Sequence, residues 1–582
     1  MKTKTLNVCE RPAPGSLVPE PEDLRSENGV LKVELAYRNF VGPAGHTKYC
    51  YVYRDGSEAP TLRLKPGDEL ILDLKNELSE GPQPAAQKTA QPAHESMSMT
   101  VSNPCASGEM SSLSTNLHFH GLTVPPTCNQ DDVLRTYIQP GDPPFEYRFR
   151  IPEGEPPGLY WYHPHVHGFT KAQVLGGASG ALIVEGIERA TPELAGLPER
   201  VLIVRDQDLA NPDAPASDVT AVKVPKIILD ADGDVVNTGT GTGKPAKDLS
   251  LNFVPVPYPD YPPAVIRIKP SETQLWRVLN ASAITYLNLQ VLFDGAPQNL
   301  GVVALDGVPT DENGSPANRV LWQSHLGIPP GGRMEFIAKG PPEGVTAMLV
   351  TRSVNTGAGG ENDPTRPIAK IIASAAAPEP ESRLSANPEP LPSPSKVWLG
   401  DVKPVRTRKL YFSEKLRDPK DPASAVEFYI TVDGQTPKAF DPASGEPNIV
   451  AHQGDVEDWI IENRTQEVHA FHIHQIHFLL LQFFGLAVNE QFLRDTVNVP
   501  FWDGKSPIYP SVKLRMDFRD PNTVGTFVYH CHLLEHEDGG MMGLIRVEPN
   551  VQSRVRQNEA ARSRLCGLPE HPNSRAVSSL KN

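Results

Sequence analysis

Short stretches of alternating apolar and polar residues, each closed by proline, glycine or aspartate, run through most of this chain. Leu62–Asn76 (LRLKPGDELILDLKN) holds two of them around a Pro-Gly-Asp turn, and Pro144–Pro152 (PFEYRFRIP) holds another. Successive strand side chains point to opposite faces, so a period of two reads as a strand with one face buried. Gly180–Ile187 (GALIVEGI) carries an apolar run between turn signals and also reads as a strand. The pattern predicts an all-β chain.

Composition sharpens this picture. The 582 residues include 60 prolines, roughly twice ordinary usage. Proline at that density with normal glycine favours loops and short strands over long helices. The length is enough for three or more domains. No apolar run approaches the roughly 18 residues of a membrane helix. Net charge is −15, with no basic patch interleaved with aromatics, so neither nucleic acid nor membrane is an expected partner. Gly81–Ser114 is rich in Gln, Ala, Ser, Thr and Pro and reads as a long surface insertion. Its His94, Met97 and Met99 are either solvated loop residues or a stray copper site. Residues 373–396 are rich in Pro, Ala, Glu and Ser and read as an extended interdomain linker. The polar tail, 551–582, is either disordered or laid across the surface.

Candidate chemistry is concentrated in histidine. His530-Cys531-His532 is followed by His536 and by Met541, ten residues after the cysteine. In a strand Cys531 points one way and its two histidines the other. Two histidines, a thiolate and a weak axial thioether are the ligand set of a blue electron-transfer copper. Three further clusters are His118-Phe119-His120, His163-Pro164-His165 and His469 to His474 (HAFHIH). Each HxH puts two imidazoles on one face. His469 is of opposite parity to His472 and His474, which suits a place on the side of Cys531. Ten of the 17 histidines fall in these motifs.

These motifs resemble those of the multicopper oxidases, specifically the three-domain laccase-like branch, and the resemblance spans about residues 30–550. It implies three cupredoxin-like Greek-key β-sandwich domains: 1–188 with the HFH and HPH motifs, 189–372 without copper ligands, and 397–550 with HAFHIH and HCHLLEH. The middle domain is expected to be structural and to form one wall of the substrate site. Four copper ions are implied. His469, Cys531 and His536 would bind the type 1 copper, with Met541 axial. His118 and His472 would bind the type 2 copper. His120, His163, His165, His474, His530 and His532 would hold the type 3 pair. The implied reaction passes single electrons from a reductant through the type 1 site to O2, which is reduced to water. The axial methionine implies a low-to-moderate potential. The trinuclear site would lie between the first and third domains.

Proton supply makes carboxylates candidates as catalytic residues. Asp131 follows the first motif, with Asp132 as its rival, and Glu535 lies between His532 and His536. Asp495 is a candidate to orient a type 1 histidine, or a strand-end structural residue. His167 reads as a loop or supporting histidine, and His477 as packing near the type 1 region. Asn280 fits a glycosylation sequon inside an apolar run that argues for a buried strand end.

With no methionine-rich segment in view, phenols and aromatic amines are the favoured reductants. The alternatives are a metallo-oxidase of Cu(I), Fe(II) or Mn(II), or a non-catalytic copper-resistance or binding protein. A copper nitrite reductase is disfavoured because it needs no type 3 pair. The protein is expected to act as a monomer. The start, MKTKTLNVCERPAPG, lacks the apolar core of a signal peptide. The resemblance nonetheless implies export to periplasm or medium, with a cytoplasmic location as the alternative. Cys105 and Cys128 flank the first motif and could pair. Cys9, Cys50 and Cys566 leave further pairings open, as do free buried thiols.

Overall fold

Alternation in the sequence becomes alternation of burial. In the strand Val30–Val41, Leu31, Val33, Leu35 and Tyr37 are buried, while Lys32 and Glu34 are exposed. Its parallel neighbour Glu69–Asn76 buries Leu70, Leu72 and Leu74, with Val33 opposite Leu72. Full burial of each such side chain contributes about 1.5–3 kcal/mol. The structure is a computed structural model. It describes residues 9–550 apart from 43–44, 55, 81–102, 106–109, 216–228, 230–233, 238, 312, 314–318, 379, 381, 390–396, 419 and 421–423.

Six sheets stack in three pairs, giving three β-sandwiches in chain order. In the first, a four-stranded sheet built on Val30–Val41 faces a five-stranded sheet that includes Thr61–Leu64, Gly180–Val184, Gly158–His163 and His118–His120. The second pairs an eight-stranded sheet, with Glu199–Gln207, Thr273–Asn280 and Arg333–Lys339, with a six-stranded one. In the third, a six-stranded sheet around Val456–Asn463 covers a five-stranded sheet holding His469–Ile473, Thr496–Val499 and Gly525–Cys531. Each sandwich has its own apolar core.

The continuous apolar runs have a different cause from the alternating ones. Leu159, Trp161, Ala181 and Ile183 of the first sandwich pack on Val201, Ile203, Leu279 and Ala281 of the second. Those strands are buried on both faces, so both parities are apolar. The longest α-helix among the described residues is Thr170–Leu175, and no helix there is long and apolar enough to cross a membrane. Cys9 pairs with Cys50 and Cys105 with Cys128, while Cys531 is free and buried. Cys566, His94, Met97 and Met99 lie outside the described residues. Asn280 is fully buried, its amide donating to the carbonyls of Thr285 and Ile328, so it is closed to glycosylation. The described part of the linker is docked: Leu384 is buried with Ile187 and Leu194, and Arg383 reaches Asp23 at 3.2 Å.

Candidate metal centre

One strand carries both halves of the site. Gly525–Cys531 pairs antiparallel with His469–Ile473, setting Phe471 opposite Cys531 and His472 opposite His530. Cys531, Phe471, Ile473 and Met541 face the third sandwich's core. His472, His474, His530 and His532 face the other way, toward the first sandwich, whose strand His118–His120 pairs with Gly158–His163. Alternation along the backbone therefore separates a thiolate site from a histidine cluster by one residue.

On the core side, His469 Nδ1 and His536 Nδ1 lie 3.1 Å apart, at 3.5 and 3.8 Å from Cys531 Sγ. All three are buried, and so is Met541. Met541 is tied to the trio by its backbone: Cys531 N–H donates to Met541 O, and Met541 N–H to His536 O. The short helix Leu534–Asp538 presents His536, whose ring stacks on Phe428 at 4.2 Å. Thr465 Oγ1 lies 2.8 Å from His469 Nε2, which leaves Nδ1 for the centre. Burial pushes the Cys531 thiol well above its ordinary range, so ionising it requires a cation.

On the far side eight histidines converge. His118 stacks on His474 at 3.7 Å and His120 on His472 at 3.8 Å, each pair joining the first sandwich to the third. His163, His165, His530 and His532 close the ring around them. Burial is the main force lowering the pKa of His120, His163, His165, His472, His474 and His532, and it takes His530 to about 3. These rings are neutral at pH 7, the state that ligates metal.

Seven nitrogens in this cluster have no hydrogen-bond partner: His118 Nε2, His120 Nδ1, His163 Nε2, His472 Nε2, His474 Nδ1 and both of His532. Left so, they would cost roughly 1–3 kcal/mol each, together comparable to a whole domain's stability. Buried ring nitrogens grouped within 4.8 Å of one another fit metal ions, and imidazole with thiolate fits copper.

The surrounding carboxylates decide several open readings. Asp131 lies 3.0 Å from His118 Nδ1 through both oxygens and also accepts from Gln475, whereas Asp132 pairs with Arg135. The geometry selects Asp131. Glu535 does not reach the cluster; its Oε2 is 2.7 Å from Lys171 Nζ. The carboxylate this helix brings to the cluster is Glu537, fully buried, 3.2 Å from His530 Nδ1 and 3.6 Å from His165 Nε2. Residues two apart on a helix point about 200° apart, a phase the sequence reading of Glu535 overlooked. Burial, then the charge of Asp538, raises the Glu537 pKa well above the carboxylate range.

Two further expectations are corrected. Asp495 does not serve a type 1 histidine. Thr496 pairs with His472 and shares its face, and Asp495, just before that strand, also reaches the cluster, 3.1 Å from His120 Nε2, while its main-chain oxygen lies 2.9 Å from His472 Nδ1. His477 is likewise on the cluster side, 3.2 Å from Asp306 O and 3.7 Å from Asp495 Oδ2, because Gln475 at φ +59° resets the parity after His474. His167 is a loop residue packed edge-on against Phe440. Nothing in the spacing flags Thr465, Asp306 or Arg333, which come from distant segments.

A cavity of ≈ 260 Å³ opens beside the thiolate site, with His536 in its wall. Glu414, Glu467 and Glu535 of the third sandwich and Glu361 of the second line it, with Val426 and Phe428 as its larger apolar surfaces. Glu467 Oε1 lies 3.4 Å from His536 Nε2. Burial, then the charges of Glu414 and Glu361, raises the Glu467 pKa well above its ordinary value.

Residues 93–189 and 419–551 each match a multicopper oxidase family model. The chain is 24% identical to the multicopper oxidase mco of Staphylococcus aureus, across 90% of this chain and 88% of that one. It is 22% identical to the laccase of Bacillus subtilis strain 168, across 76% and 81%. In fold it is similar to the solved multicopper oxidase of Campylobacter jejuni, described as a metallo-oxidase, with a TM-score of 0.61, 22% identity and coverage of 92% and 96%.

Proposed function

From the premise that this chain belongs to the multicopper oxidase family and is a laccase-like oxidoreductase of cupredoxin fold, we propose that it couples one-electron oxidation of positively charged reductants, reduced metal ions foremost, to reduction of O2 to water. Copper bound to these groups would supply one-electron cycling at the thiolate site and four-electron reduction at the histidine cluster. His469, Cys531, His536 and Met541 would hold one ion. His118 and His472 would hold a second. His120, His163, His165, His474, His530 and His532 would hold a pair. Backbone continuity from Cys531 to His530 and His532 makes the route between the two sites two residues long. Asp131 orients His118 through Nδ1. Glu537, its pKa raised by burial, lies beside His530 as the carboxyl group placed to carry a proton there.

The observation carrying the choice of reductant is the carboxylate-lined cavity over His536. A cation about 4 Å from one carboxylate gains about 4 kcal/mol at an effective dielectric of 20. A neutral phenol gains only what Val426 and Phe428 offer. The description of the Campylobacter protein as a metallo-oxidase supports this reading. Oxidation of phenols and aromatic amines is the second reading, supported by the likeness to the Bacillus laccase and by the absence of a methionine-rich segment.

Oxygen uptake by copper-loaded protein, with Fe(II), Cu(I), Mn(II) and a phenol compared, tests the choice. The double variant Glu361→Gln, Glu414→Gln is expected to lower kcat/KM for the metal ions about tenfold or more and to leave the phenol within about twofold. Fast uptake with phenol and none with metal ions would establish the second reading instead. We also place the protein, as a monomer, in an oxidising compartment outside the cytoplasm, on the strength of its two disulfides. Thiol titration of denatured protein from its own cell, before and after reduction, should differ by four thiols; equal counts would sink the placement. Light scattering checks the monomer.

A further inference from the structure

The middle sandwich looks like a bystander. Between residues 189 and 372 it has one histidine, the exposed His325, and no cysteine. Yet Arg333, on its strand Arg333–Lys339, is fully buried and spends all five N–H donors around the histidine cluster. Its Nε donates to Leu159 O on the strand that carries His163. Nη1 donates to Gly331 O and to Asp495 Oδ1 at 2.8 Å, and Nη2 to Asp306 O and to Asp495 Oδ2 at 2.6 Å. One guanidinium thus joins all three sandwiches.

Asp495 is the group it holds. That residue lies against two histidines of different proposed roles, His120 through its carboxylate and His472 through its carbonyl. Asp306 holds it from the other side, accepting from the backbone N–H groups of Asp495 and Thr496 through Oδ2 and from Arg333 N–H through Oδ1. The fork of Arg333 fixes both carboxylate oxygens in one plane, which a point charge does not do. With Asp495 fixed, the Nε2 of His120 and the Nδ1 of His472 are engaged, leaving His120 Nδ1 and His472 Nε2 as the free nitrogens facing the cluster.

We propose that Arg333 and Asp306 are positioning residues through which the middle sandwich, supplying no ligand, sets the ring orientation of His120 and His472 and thereby the copper occupancy of the histidine cluster. This rests on the copper assignment above. A wild-type protein lacking the blue absorbance of the Cys531 site would fail that assignment, whereas the ratio of cluster copper to blue absorbance tests Arg333 alone.

Apo protein would be reloaded with copper, and three quantities read: bound copper per chain, the type 2 signal in electron paramagnetic resonance, and the blue absorbance. Arg333→Met is expected to lose cluster copper and the type 2 signal, with retention about 10–100-fold weaker, while the blue absorbance stays. Arg333→Lys should be intermediate. Asp306→Asn keeps the side-chain volume and should show the same selective loss to a smaller degree. Arg205→Met is the control, because Arg205 is equally buried and joins the first two sandwiches through Ser179, with no hydrogen bond to Asp495 or the histidines. The proposal is overturned if Arg333→Met keeps a full type 2 signal, or if all variants lose cluster copper and blue absorbance in parallel as the control does. If Arg333→Met does not fold, an unchanged ratio in Arg333→Lys and Asp306→Asn overturns it equally.

Discussion

About half a turn of helix decides which carboxylate serves this site. Glu535 and Glu537 are two residues apart, yet one meets Lys171 and the other His530. Glu537→Gln and Asp131→Asn should slow oxygen turnover on the order of 10²-fold, with blue absorbance intact. Glu535→Gln should leave turnover with a neutral donor within about twofold, since the Glu535 carboxylate meets Lys171 and not the histidine cluster. Stopped-flow reoxidation of reduced protein checks all three; equal slowing in Glu535→Gln and Glu537→Gln would contradict the assignment. Sequence spacing put the two imidazoles of each HxH on one face, and the family resemblance supplied the roles of the ten histidines. The sequence misplaced Glu535 and His477 and left Asp495 open between two roles, because a helix, one positive-φ residue and contacts from distant segments set those directions.

At the scale of the element, the middle sandwich reaches the cluster through a turn as well as through Arg333. Gly331 precedes the strand Arg333–Lys339 at φ +79°, and a Cβ there would meet His532 Nε2 at 2.7 Å. Gly331→Ala combines the left-handed strain of about 1–2 kcal/mol with displacement of a cluster ring. It should lower apo stability in denaturant by about that amount and weaken copper retention beyond it. Unchanged copper retention would show that the ring yields freely. The strands themselves were readable, since alternation marks a sheet with one wet face. The apolar run Gly180–Val184 was readable as a strand, but its packing partner was not, because a strand apolar on both faces records burial without saying against what.

Across the whole molecule, the copper groups lie where the first and third sandwiches meet. Besides the stacked imidazoles, Asp538 of the third accepts from the N–H groups of Gly168, Thr170 and Lys171 in the first. Metal shared across that seam stabilises it by mass action, about 4 kcal/mol at a thousandfold excess over Kd for each independent site. Chelation should therefore lower the melting temperature and increase proteolysis of segments at the seam. An apo protein as stable and as protease-resistant as the loaded one would mean that the seam holds without metal.

The sequence by itself determined the all-β class, the two-faced His-Cys-His strand and the inventory of imidazole and thiolate donors. Those follow from a period of two and from side-chain chemistry, which are local. Tertiary structure decided what depends on distance across the fold. It set Asp131 rather than Asp132 against His118, put Glu537 at the cluster, lined the cavity beside His536 with carboxylates from two sandwiches, and brought Arg333 to Asp495 across 162 positions of sequence. No spacing encodes such meetings, because they are fixed by which sheet faces bury against each other.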